Sequence, residues 1–275
     1  MGKCCICFFN ALPNGGILQM GAALGCAAMG YFVGCINPSY IFAKLRGFDI
    51  RKRGSANAGA SNAFITMGKF IGIISALFDI LKAFFVTKLC AHIFENFTLA
   101  FSLSAVFCIL GHIFPVYMKF SGGKGLACLG GIILSYDWRV FLIMLAAEII
   151  VVLVTDYICF VPITASAAFP VIYGIRTGDI RGTLLFSAAA VAIILKHIEN
   201  LVRIKKKTEM KFSYLWHRDE EVERMSQSGA YAPDGSEAAK TDVDEKSLDD
   251  NKTNEDSDRG ESGGDGISAK DKEKV

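Results

Sequence analysis

Apolar residues fall in long blocks separated by short polar stretches. The blocks run from about Ile17 to Leu45, Lys69 to Cys90, Phe97 to Met118, Leu126 to Tyr136 and Val140 to Val154, then beyond Tyr157 to Ile175 and from Arg181 to Leu195. Blocks of this kind predict helices buried in a bilayer, where about 20 apolar residues cross the hydrocarbon layer. The fourth block is the short one, at roughly half that length. Pro38 is expected to bend the later part of the first block. A signal peptide is a weaker reading of that block, because no small-residue cleavage site closes a short apolar core. The expected fold class is therefore all-α: a polytopic membrane protein with about seven transmembrane helices.

Composition agrees, since 52% of the 275 residues are hydrophobic, too many for an ordinary soluble domain. The charges are divided unevenly. Of 29 Lys+Arg and 27 Asp+Glu, 20 and 9 precede Arg218, whereas 9 and 18 fall from Arg218 onward. Residues 218–275 are polar and acidic and cannot bury enough surface to offset ordering entropy, so a disordered tail is expected there. The expected organisation is thus an N-terminal extracytoplasmic segment (1–16), a membrane domain (17–217) and the tail (218–275). The nine cysteines, an odd set lying mostly in apolar blocks, spell no disulfide framework or zinc site. Met1-Gly2-Lys3-Cys4-Cys5 is an incomplete lipidation signal, with Ile6 where Ser or Thr is required.

Counting sides places the loops after blocks one, three, five and seven on one face of the membrane. They carry Lys44, Arg46, Arg51, Lys52, Arg53, Lys119, Lys124, Arg203, Lys205, Lys206, Lys207 and Lys211. The opposite loops carry chiefly Lys88, Arg139, Arg176 and Arg181. The positive-inside rule puts the first set in the cytoplasm and the N-terminus outside, in the cell's inner (plasma) membrane.

Three polar stretches on the basic face could carry chemistry. Arg51 to Asn62 sets a basic triplet before small, hydroxyl and amide residues, a composition suited to phosphate or to a plain polar turn. Gly122-Gly123-Lys124-Gly125 could present successive backbone N–H groups to a phosphate, or simply turn the chain between helices. It is no nucleotide P-loop, because Met118 and Gly125 replace two required residues. His197 and Asn200 share a face if the last helix continues beyond the membrane, where the histidine could accept a proton from an alcohol. Otherwise it is a surface histidine at a helix end. Asp79 and Lys82, three apart, are expected to neutralise one another within the bundle, and Glu148 is an intramembrane acid with no partner evident in the sequence.

The chain resembles the bacterial acyl-phosphate:glycerol-3-phosphate acyltransferase family from about Gly34 to Lys211. The resemblance rests on Asp49-Ile50-Arg51 with Gly54 to Asn62, on Phe78-Asp79 with Lys82, and on Gly111-His112-Ile113-Phe114-Pro115-Val116. It continues in Gly122 to Ala127, in Tyr157, and in His197 with Asn200, Arg203, Thr208 and Glu209. It implies a membrane enzyme that moves an acyl chain from acyl phosphate to the 1-hydroxyl of glycerol 3-phosphate at the cytoplasmic face, giving lysophosphatidic acid and phosphate. It also implies catalytic roles for Arg51, Ser55, His197 and Asn200. Asn57, Gly59, Asn62, Gly122, Gly123, Lys124, Gly125, Cys159 and Arg203 would bind substrate, and Glu209, Asp79 and Lys82 would be structural. No metal, cofactor or nucleic acid is implied, and a monomer embedded in membrane lipid is expected to function. The chain departs from the family's pattern at Ala56 and Lys207, where glycine is usual, and at Cys128 and Cys159, where hydroxyl residues are usual. An anionic-solute transporter and a non-catalytic relative are the competing readings. Transport sites, however, lie near the midplane in broken helices, whereas these motifs gather at one face.

Overall fold

The computed structural model describes residues 15–215, so the N-terminal cysteines Cys4, Cys5 and Cys7 and the acidic tail lie outside it. No strand occurs among the described residues. The chain forms α1 (Gly15–Cys35), α2 (Pro38–Leu45), α3 (Ala60–Met67), α4 (Lys69–Ile93), α5 (Ala100–Ile113), α6 (Leu126–Tyr136), α7 (Trp138–Thr155), α8 (Phe160–Thr177) and α9 (Ile180–Lys205). Among the described residues, five stretches are long and apolar enough to cross a membrane: Gly16–Leu45, Lys69–Ile93, Ala100–Met118, Trp138–Thr155 and Ile180–Lys205. α6 and α8 are the two expected spans that length and hydropathy alone do not mark. With 11 residues, α6 is about 16 Å long, roughly half a hydrocarbon layer. Cys128, Leu129, Ile132 and Ile133 are nevertheless buried, and a Cβ on Gly131 would strike the backbone of Ile80, so this short helix lies close against α4.

The first block is broken rather than bent. α1 ends at Cys35, and α2 restarts at Pro38, whose missing N–H costs nothing at a first helical position. Asn37 caps the restart by accepting from Tyr40 N at 2.9 Å. α3, a short helix between the first two apolar blocks, ends at Gly68, where φ is +97°.

α1 packs along α5 and α4, α4 along α6, and α9 along α8 and α5. Phe101, Tyr136, Phe169, Tyr173 and Phe186 pack together at the end of the bundle where α5 and α9 begin and α6 and α8 finish. Outward faces stay apolar, as a lipid environment requires: α7 exposes Ile143, Ile150, Leu153 and Val154. The other end of the bundle collects the polar loops.

Candidate active site

The loop between α2 and α3 is shaped by its own polar groups. Asp49 caps a 3-10 turn over Ile50–Lys52 and grips Arg51 with both carboxylate oxygens, Nε at 3.0 Å and Nη2 at 2.7 Å. The Arg51 guanidinium beside it holds the Asp49 carboxyl down to about 2. Arg51 Nη1 donates to the Met118 carbonyl at 2.6 Å, and its guanidinium lies over the Tyr40 ring. The first loop is thereby joined to the segment preceding the second.

Asn62, expected to touch substrate, is fully buried. Its Nδ2 donates to the carbonyls of Ile50, Arg53 and Asn57 at 3.0, 2.9 and 2.9 Å, and its Oδ1 accepts from Ser55 N at 2.9 Å. Its amide is consumed by the loop's backbone, so the position holds the loop in shape. Ser55 itself is exposed, and its hydroxyl bonds no other described residue. Asn57 and Gly59 are half-buried beside it, and a Cβ on Gly59 would meet the Asn57 amide.

The glycines of the second loop differ from their expected use. Gly122 N donates to Ile113 O and Gly123 N to His112 O, both at 3.0 Å. These bonds satisfy carbonyls orphaned at the end of α5, so the two N–H groups are not presented to a phosphate. Close packing explains the residue type instead, since a Cβ on Gly122 would strike the His112 carbonyl and one on Gly123 its imidazole. Gly125, with φ +91°, turns the chain into α6. Between them Lys124 leaves the loop toward α9.

There α9 continues to Lys205, which buries His197 and Asn200 on one face. His197 Nδ1 lies 2.8 Å from the Ile193 carbonyl, which can only accept, so Nδ1 carries the proton and Nε2 of the neutral ring keeps its lone pair. Asn200 Oδ1 accepts from Lys124 Nζ, and Asn200 Nδ2 donates to Glu209 Oε1 at 2.5 Å. The other Glu209 oxygen accepts from Arg203 Nε at 2.7 Å. Thr208 N donates to Arg203 O at 2.8 Å after a turn in which Lys207 has φ +59°, folding Glu209 back onto the helix. Burial, followed by the charge of Arg203, pushes the Lys124 ammonium below its usual range. Cys159 is buried, and desolvation followed by the Glu209 carboxylate pushes its thiol up to about 11. This thiol stays protonated near neutrality and is no nucleophile.

Residues of the second and third loops thus form one cationic network. The model of the family described as glycerol-3-phosphate acyltransferase matches residues 24–207. The chain belongs to this family. Among family members, the glycerol-3-phosphate acyltransferase 2 of Thermotoga maritima is 38% identical over 184 residues, covering 66% of this chain and 93% of the relative. The Bacillus subtilis glycerol-3-phosphate acyltransferase is 34% identical over 188 residues, covering 68% and 96%. A crystal structure of an integral membrane glycerol 3-phosphate acyltransferase in its glycerol 3-phosphate form superposes with a TM-score of 0.66 at 28% identity, covering 71% of this chain and 98% of that one. The lysophosphatidic acid form gives 0.63 at 27% identity, covering 71% and 97%.

Sequence reasoning gave no role to His112, Asp49 or Asp156. Asp49 was signalled by its place two residues before Arg51. Asp156 accepts from Ser213 N at 2.8 Å and Ser213 Oγ at 3.0 Å, tying the chain after α9 to the α7–α8 turn beside Cys159. Nothing in the local sequence marks that long-range contact.

Proposed function

We propose that this membrane acyltransferase moves an acyl chain from acyl phosphate to the 1-hydroxyl of glycerol 3-phosphate. The observation carrying the reading is the network in which Lys124, Asn200, Arg203 and Glu209 converge with His197 at the basic end of the bundle. Two phosphate-bearing substrates repel one another, and fixed cations and amide donors offset that repulsion where they are already oriented. Lys124 and Arg203 would receive the phosphate of glycerol 3-phosphate. Ser55 and Arg51, on the adjoining loop, would act on the acyl phosphate. The substrate hydroxyl oxygen forms a bond to the acyl carbon, the bond from that carbon to the phosphate oxygen breaks, and phosphate departs with the electron pair. The hydroxyl proton passes to His197 Nε2 or to a substrate phosphate oxygen. Seven spans, with this site at the cytoplasmic face of the inner membrane, complete the proposal, and the basic loops at the site's end support that orientation.

Phosphate release from synthetic acyl phosphate by the purified full chain tests the reading. Release should require glycerol 3-phosphate and yield lysophosphatidic acid. Ser55→Ala should lower kcat by about 100-fold if its donor acts on charge developing at the reaction centre. Release independent of glycerol 3-phosphate would defeat the assigned acceptor, and near-normal kcat in Ser55→Ala would defeat the assigned donor.

A further inference from the structure

His112 is enclosed where α1, α4 and the second loop meet. The Lys82 ammonium lies 2.6 Å from Asp79 Oδ1 and 3.1 Å from His112 Nδ1, and it also donates to the carbonyls of Gly34, at 2.9 Å, and Ile36. Asp79 Oδ1 lies 3.4 Å from the same Nδ1, so this edge of the ring faces both members of the ion pair. By residue type Asp79, His112 and Cys128 could hold a metal ion. Lys82, however, already sets its own positive charge against two of the three. The ring is thus oriented by a buried ion pair and by the end of α1, where the carbonyls of Gly34 and of Ile36 just beyond the helix share the same ammonium.

Its free edge faces the second loop. A Cβ on Gly123 would overlap His112 Nε2 and lie 2.9 Å from Cε1 and 3.0 Å from Cδ2, while Gly123 N donates to the His112 carbonyl. The imidazole therefore occupies the volume that a side chain at position 123 would fill. One residue of histidine holds Gly123 twice, by ring and by carbonyl, immediately before Lys124.

We infer that His112, oriented by Lys82 and Asp79, is a positioning residue that sets the reach of Lys124 toward the substrate phosphate. The inference rests on the proposed role of Lys124. A displaced Lys124 would still carry its charge but meet the phosphate less well, so binding of glycerol 3-phosphate should suffer more than turnover.

The test compares His112→Ala, Gly123→Ala, the double variant and Lys124→Ala in purified full-length protein, with glycerol 3-phosphate varied. His112→Ala and Gly123→Ala should each raise KM by about tenfold with a smaller change in kcat. In the double variant the new methyl group enters space the ring has left, so the two effects should be far from additive. Lys124→Ala should raise KM as well. If Lys124→Ala raises KM and His112→Ala leaves it unchanged, the inference is overturned while the proposed function stands. An unchanged KM in Lys124→Ala overturns both. Additive effects in the double variant would show that ring and glycine act separately, against the inference. Should His112→Ala not yield folded protein, Gly123→Ala decides alone, with an unchanged KM counting against.

Discussion

Two departures from the family's pattern have a backbone cost. Ala56 has φ +56° and Lys207 has φ +59°, the left-handed region where a side chain crowds the following carbonyl by about 1–2 kcal/mol. Glycine would adopt both turns without that strain, and both turns lie beside proposed site residues. Lys124 gives the clearest prediction from pH. Its ammonium is pushed down by burial, so folding disfavours the charged form near neutrality and that cost fades as pH rises. The charge proposed to receive phosphate is lost in the same direction, earlier than for an ordinary lysine near about 10.4. We expect kcat/KM for glycerol 3-phosphate to fall on the alkaline side, with Lys124→Arg flattening this arm because a guanidinium stays charged. Superimposable profiles for the two proteins would contradict that origin. Residue types were legible at this scale where their uses were not. At positions 122 and 123 glycine serves a bound anion and a close-packed imidazole equally well, and only the fold distinguishes them.

At the scale of elements, long apolar helices could be read because lipid demands continuous apolar faces, and the blocks around α4, α5 and α9 emerged near their expected positions. Short elements could not. α3 spans Ala60–Met67 because its Ala63 and Met67 pack with Ile50 and Ala58 and its Asn62 binds the loop before it, all tertiary causes. The break before α2 depends on Asn37, which caps Tyr40 N and also donates to Ala58 O at 2.8 Å. The chain after α9 is another such element, held across the site by Asp156. Asp156→Ala would remove the acceptors of Ser213 N and Oγ and loosen the segment that carries Glu209. We expect kcat/KM to fall by about tenfold, equivalent to roughly 1.4 kcal/mol of transition-state stabilisation, with helical content unchanged by circular dichroism. Wild-type kinetics would mean that Glu209 is placed by Asn200 and Arg203 alone.

Over the whole molecule, polarity is segregated end to end. The aromatic cluster of Phe101, Phe169, Tyr173 and Phe186 fills one end of the bundle, while Arg51, Lys124 and Arg203 gather at the other. An even number of chain crossings separates each pair of site loops, so all three reach the same side if every block from α1 to α9 spans or returns as proposed. The compact α6 is the weak link in that count, because an 11-residue helix reaches both surfaces only if the neighbouring loops dip toward it. The bonds from Gly122 and Gly123 back to Ile113 and His112 draw the second loop inward in this sense. Single cysteines placed at Ser55, Lys119 and Lys206, all exposed, in a cysteine-depleted variant should resist a membrane-impermeant thiol reagent added outside intact cells. One placed at Glu95, exposed in the α4–α5 connection, should react. Inside-out vesicles should reverse the pattern. If Lys206 alone were labelled from outside, α6 would not return the chain as proposed, and His197 and Arg203 could not share a site with Ser55 and Lys124. Uniform reversal of all four positions would preserve the shared site and invert its membrane orientation.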